Sequence, residues 1–184
     1  DILKEGHLAG AGLDVWAYEP PRESKLSMEQ LPIVWGAALP DHWGSWLRFA
    51  LLTGMRKSET KRAFVQGDEL VVENTKNHSN LRLPMTDAIE ACFFDYSHIS
   101  CFKPLTKHLL AQTEVRATPH DLRRTFANVA RIAGVQQNTL SWLMNHRSSR
   151  SDQTSSYQGR PEIFVLREAL TAIETVYRRA GCTL

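Results

Sequence analysis

No apolar run in the 184 residues approaches the roughly 20 needed for a membrane-spanning helix, which excludes a helical span. No stretch has the basic, apolar and small-residue order of a secretory leader, so none is expected. Cysteine is scarce. Cys92, Cys101 and Cys182 are odd in number and form no CxxC pair, which argues against a disulfide framework or a cysteine zinc site and fits a reducing cytosol. The seven histidines show no HExxH spacing, and no GxGxxG follows a strand-like segment. No paired catalytic carboxylates stand out, and there is no internal repeat. Zinc hydrolysis and nucleotide-loop chemistry are therefore not expected. Asp1 in place of Met suggests a piece of a longer chain.

Net charge is small as well, at +2, but it is unevenly spread. Residues 103–160 hold nine basic residues (Lys103, Lys107, Arg116, Arg123, Arg124, Arg131, Arg147, Arg150, Arg160) against three acidic ones, a local +6, while the rest nets −4. A basic segment inside an acidic remainder reads either as a phosphate-facing surface or as a solvated basic face.

Punctuation and periodicity predict a mainly α chain with a small antiparallel β-hairpin (α+β). Residues 1–23 are loop-like, a linker or N-terminal remnant of unclear origin, and 24–184 form the domain. Ser27 with Gln30 makes a capping-box start for a helix over 27–39. Trp43, Trp46, Leu47, Ala50 and Leu51 have helical spacing, with Gly54 as a stop and a charged helical stretch over 55–63. ELVVEN, TKNHSN and LRLPM predict a hairpin over 69–85. Helices are then expected over 86–97 (capped by Thr86), 104–114, 118–134, 138–146 and 162–181, with a polar linker over 147–159. In the last helix Ile163, Leu166, Leu170, Ile173 and Val176 share one face. Trp43, Trp46, Phe49, Phe93 and Phe94 are expected in the core, as are Trp142, Leu143 and Met144.

The stretch TPHDLRRTFANVARIAG, residues 118–134, has Thr118 as N-cap, Pro119 at the first helical position and Asp121 at the capping-box position. Leu122, Phe126, Val129 and Ala133 form its core stripe. His120, Arg123 and Arg124 lie off that stripe, in the first turns, where the helix dipole favours an anion rather than a cation. Arginine's planar fork holds two phosphate oxygens at once. The alternative is plainer: surface ion pairs for the arginines and a capping role for His120.

Four further segments carry chemistry-bearing residues. TGMRKSE (53–59) sets Arg56 after a turn with Glu59 in reach; TKN (75–77) sets Lys76 at the hairpin tip; NH (145–146) ends an apolar helix with His146; SSYQG (155–159) sets Tyr157 in a polar stretch. Together and in this order, with HDLRRT (120–125), these segments resemble the catalytic domain of the tyrosine recombinases, or phage integrases, over roughly residues 24–184. LSMEQLPIVW and RLP also look like family features. Two departures stand out. Asn145 occupies a position that is Gly in many members, and the spacing of 11 from His146 to Tyr157 is slightly longer than usual there. The family's N-terminal DNA-clamping domain has no counterpart in these residues.

The resemblance implies the recombinase catalytic-domain fold and site-specific cleavage and rejoining of double-stranded DNA through a 3′-phosphotyrosyl intermediate, without metal or other cofactor. It implies Tyr157 as nucleophile, Arg56 and Arg123 on the non-bridging oxygens, Lys76 as general acid, His120 in proton transfer and His146 on the phosphate. Glu59 would hold Arg56, and Arg124, Arg147 and Arg150 would contact DNA. It further implies a tetramer assembled on DNA, DNA-bending accessory proteins and a cytoplasmic, nucleoid-associated location.

Two other resemblances compete. Residues 129–148 look like a repressor-type helix-turn-helix, which would make the chain a DNA-binding regulator without chemistry, as would an inactive integrase relative. Residues 3–21 are similar to the end of the nucleotide-binding domain of D-2-hydroxyacid dehydrogenases, too short a match to assign function.

Overall fold

The computed structural model describes residues 25–40, 42–75, 80–146 and 160–184. The Lys76 tip, Arg147, Arg150, Tyr157 and the predicted linker over 147–159 lie outside these, as does the stretch 1–24.

The architecture is helical with one small sheet, as the sequence predicts. Its centre is α2, Trp43–Thr53, whose Trp46, Leu47, Phe49, Ala50, Leu51 and Leu52 are all buried. A helix apolar on every side must be surrounded. Around it pack α1 (Gln30–Trp35), α4 (Asp87–Cys92), α6 (Pro119–Ile132) and α8 (Ile163–Arg179). The short α3 (Lys57–Thr60), α5 (Lys103–Thr113) and α7 (Gln137–Leu143) complete the described helices. Tyr177 of α8 donates its buried hydroxyl to the Leu51 carbonyl at 2.7 Å, tying the last helix to the central one.

The caps explain several boundaries. In α6 the Asp121 amide donates to Thr118 Oγ1 at 3.3 Å and the Thr118 amide donates to Asp121 Oδ2 at 2.8 Å. The stripe of Leu122, Phe126 and Val129 is buried as predicted, with Ala133 at its half-buried end. On α8, Leu166, Leu170, Ile173 and Val176 are buried and Ile163 is partly so.

The predicted hairpin is β2 (Glu69–Val72) with β3 (Leu81–Pro84), antiparallel, Val71 opposite Arg82. A third strand, β1 (Phe64–Gln66), pairs with β2 through a two-residue turn at Gly67 and Asp68, where Gly67 takes φ +64°. That is the first turn position, where a type II′ hairpin asks for glycine. β1 is exposed at all three residues, so it has no alternation for a sequence reading to detect.

Other boundaries differ from expectation. Ser27 and Gln30 do exchange hydrogen bonds, at 3.2 and 3.0 Å, but the regular helix runs only from Gln30 to Trp35. The helix after Thr86 ends at Cys92, because Phe93 turns extended and the Tyr96 hydroxyl caps the Cys92 carbonyl. Phe94 is consequently 61% exposed rather than in the core, while Phe93 packs partly against it. Trp142 is likewise 39% exposed, although Leu143 and Met144 are buried as expected.

Gly54 ends α2 with φ +60°, and a Cβ there would sit 2.3 Å from a ring carbon of Phe126. Backbone conformation and packing both exclude a side chain. Gly54→Ala is expected to lower stability by about 2–4 kcal/mol, combining left-handed strain with overpacking. Denaturant unfolding of the variant beside Gly67→Ala, where a Cβ meets open space and only strain is added, separates the two contributions.

Candidate functional site

The site is assembled where the end of α2 meets the start of α6. After the Gly54 turn the chain is extended at Arg56, and α3 begins with Lys57. Glu59, at the third position of α3, folds back on the residue before the helix. Its Oε2 accepts from the Arg56 amide at 2.7 Å, and its Oε1 accepts from Arg56 Nη1 at 2.8 Å. The carboxylate is 1% exposed, so it acts as an internal anion that fixes one guanidinium.

Arg123 closes on the same carboxylate, with Nη1 3.7 Å from Glu59 Oε2. The sequence placed this side chain off the core stripe of α6, on a face where a surface ion pair was the alternative. It is instead only 5% exposed. Nη1 donates to the Gly54 carbonyl and Nη2 to the Met144 carbonyl, each at 2.5 Å. Two helix ends therefore hang on one guanidinium, which keeps further N–H donors for a ligand. Burial, and then the nearby Arg56 charge, push Arg123 down to about 10, while Glu59 opposes. It remains charged at neutral pH.

Two clefts meet at this point, and both are lined by His120 and Arg123. The larger, about 1060 Å³, runs between α3 and α5 and, among the described residues, is lined by seven cations (Arg56, Lys57, Lys61, Lys103, Lys107, Arg116, Arg123) and no carboxylate. The smaller, about 450 Å³, lies along α6 and α7 and holds His146 with Lys25, Arg124 and Arg131, again with no carboxylate among the described residues. Of the sequence-predicted residues, Arg56, Glu59, His120, Arg123, Arg124 and His146 are thus brought together. Lys76, Tyr157, Arg147 and Arg150 lie outside the described residues. Lys25 and Lys61 were missed, since only folding brings these separate segments to the cleft.

His146 titrates below its ordinary 6.5, pushed down first by burial and then by Arg123 and Arg56, with Glu59 opposing. A base depressed in the folded state binds fewer protons there than when unfolded, so its contribution to stability is lost as pH falls below about 6.5. A neutral imidazole donates one N–H to an oxyanion and charges as that anion arrives.

Asn145 shapes the end of α7. It takes φ +49°, a conformation glycine and asparagine both tolerate, and its Nδ2 donates to the buried Thr75 hydroxyl at 2.7 Å. Glycine would keep the turn and lose the bond. Thr75 directly precedes Lys76, so this bond links the hairpin to the end of α7.

The described residues contain no group of three or more His, Cys, Asp or Glu suited to a metal ion, and no described helix is long and apolar enough to cross a membrane. The buried Arg123 guanidinium, the half-buried Arg56 beside it, a neutral imidazole and a lining without carboxylates among the described residues are suited to a phosphate-type oxyanion with its charge spread over several oxygens. α7 turns Leu140, Leu143 and Met144 into the core and gives only Gln137, Leu140, Ser141 and Met144 to the smaller cleft.

Two outcomes follow. Glu59→Gln removes the one charge that raises His146, so its titration midpoint, read by histidine NMR, is expected to fall further, with a stability loss of up to about 3 kcal/mol from the unpaired guanidinia. Asn145→Gly is expected to cost about 1 kcal/mol, the lost hydrogen bond, and Asn145→Ala more, because strain is added; thermal unfolding of the pair checks the order.

Comparison with family models, with curated proteins and with solved structures returns no match for this chain.

Proposed function

We propose that this chain is a site-specific DNA recombinase of the tyrosine type, cleaving and rejoining DNA strands through a 3′-phosphotyrosyl intermediate. The observation that carries this reading is the convergence of Arg56, Arg123, His120 and His146, four residues from three separate sequence motifs, on two joined clefts that no carboxylate lines among the described residues.

In this reading the scissile phosphate sits over Arg123. Arg56 and Arg123 hold its non-bridging oxygens, and their positions are set beforehand by Glu59 and the Gly54 and Met144 carbonyls. Stabilisation placed in advance is what lowers a barrier whose transition state spreads negative charge. Tyr157 Oη attacks phosphorus, the bond to the 5′-oxygen breaks, and Lys76 supplies the proton to that leaving oxygen. His120 takes the tyrosine proton, and His146 donates a hydrogen bond to the phosphate. The phosphotyrosyl bond conserves the phosphodiester energy, so attack by a 5′-hydroxyl reverses the sequence and reseals DNA with no nucleotide consumed. Exchange between two duplexes requires several active subunits, in keeping with a tetramer on DNA. DNA-bending proteins would assist that assembly, in a nucleoid-associated setting.

Nicked duplex DNA of random sequence, incubated with the chain in EDTA, is expected to yield a protein–DNA adduct that survives denaturation. Tyr157→Phe should give none, and Arg56→Ala should slow its formation by about 10²–10³-fold. Salt-sensitive binding with no adduct from the unaltered chain would sink the cleavage reading and leave a DNA-binding protein without chemistry.

A further inference from the structure

The two clefts are lined by different kinds of polar group. Four of the seven cations described in the larger are lysines, Lys57, Lys61, Lys103 and Lys107. An ammonium is a compact point charge, suited to phosphate and blind to base identity. The smaller draws instead on Arg124, Asn128 and Arg131 of α6 and Gln137 of α7. These are planar side chains with paired hydrogen-bonding groups. Arginine matches the O6 and N7 edge of guanine in the major groove, and asparagine or glutamine the N6 and N7 edge of adenine.

Their spacing is that of a reading face. Positions 124, 128 and 131 follow the i, i+4, i+7 rule for one side of a helix, opposite the buried Leu122, Phe126 and Val129. Arg124 and Arg131 are exposed, and among the described residues neither has an ion-pair or side-chain hydrogen-bond partner. Most other described arginines are occupied: Arg48, Arg56, Arg62, Arg82, Arg160 and Arg167 each hold a carbonyl or a carboxylate. Among the described residues Asn128 keeps its amide nitrogen for a ligand while its Oδ1 accepts from Lys25 at 3.1 Å. Along α6 the seven residue-to-residue steps from Arg124 to Arg131 rise about 10 Å, which spans about three base-pair steps of roughly 3.4 Å.

We propose that the outer face of α6, through Arg124, Asn128 and Arg131, reads base edges in the major groove of duplex DNA beside the phosphate held at Arg123, over a block of three to four base pairs. The proposal rests on duplex DNA being the substrate, as in the function proposed above. α6 then has two duties separated by position: its first turn addresses a phosphate, and its middle turns choose the sequence around it. The major groove of duplex RNA is too narrow and deep for such a face, so duplex RNA is not expected to be discriminated by sequence.

The test is selection of bound sequences from duplex DNA randomised around a central position, with the unaltered chain, Arg124→Lys, Asn128→Ala, Arg131→Lys and Lys107→Ala. The unaltered chain is expected to enrich a contiguous block of three to four base pairs. Arg124→Lys and Arg131→Lys keep the charge and lose the planar fork, so each should lose preference at one base pair of the block by about 5- to 150-fold while the dependence of binding on salt stays the same. Lys107→Ala should keep the preferences, weaken binding to all sequences alike and reduce the salt slope by about one. Unchanged preferences in all three α6 variants, or preferences lost in Lys107→Ala instead, would overturn the assignment. An equal sequence preference on duplex RNA would do so too. The covalent assay separates this from the proposed chemistry: no adduct, with an α6-dependent preference intact, removes the cleavage reading and keeps this one. An adduct formed with no α6-dependent preference does the reverse.

Discussion

A guanidinium taken almost wholly out of water is the constraint around which the site is organised. Arg123 carries its charge into a position where burial, and then the Arg56 charge, lower its hold on the proton. It stays because the Gly54 and Met144 carbonyls and the Glu59 carboxylate are waiting for it. Each belongs to a different part of the chain, so the end of α2, the start of α3, α6 and the end of α7 have to arrive together for the charge to be tolerated. With Arg56 sharing the same carboxylate, two cations face one anion. Among the described residues the assembly is left one negative charge short, which favours an anion beside it.

Much of this was legible in the sequence. The capping box at Thr118 and Asp121, the Gly54 stop and the buried stripe of α6 follow from local rules, since each depends on residues a few positions apart. The apolar spacing of α8 belongs to the same kind. What could not be read locally was the depth of Arg123. Its helix position puts it beside the core stripe, and only the approach of Gly54 and Met144, 69 and 21 residues away along the chain, turns a flanking arginine into a buried one. The strand β1 failed for the opposite reason: an exposed three-residue edge buries nothing and leaves no periodic trace. Phe94 was misplaced because the chain leaves the helical course at Phe93, and Trp142 because it stands within α7 on the side away from Leu140 and Leu143, which take the buried positions.

The apolar mass and the charged clefts occupy different parts of the molecule. α2 is enclosed by α1, α4, α6 and α8, and the Tyr177 hydroxyl on Leu51 adds a directional bond to that packing. α6 belongs to both territories. One of its sides is fixed by close-packed Leu122, Phe126 and Val129, which leaves its polar side little freedom to drift. Precise placement of charge at the clefts is thus inherited from the least polar part of the fold.

The bond from Asn145 to Thr75 has a dynamic consequence. Each of these residues adjoins a predicted site residue, His146 in one case and Lys76 in the other, and the two lie 70 positions apart. A hinge between hairpin and helix would let the two sides fluctuate independently. A short hydrogen bond between two buried side chains, one of them on a left-handed backbone turn, makes their fluctuations correlated instead. A displacement at the hairpin root, whatever its source, is then felt at the imidazole within the same local opening event, and amide exchange on both sides should be governed by a single protection factor.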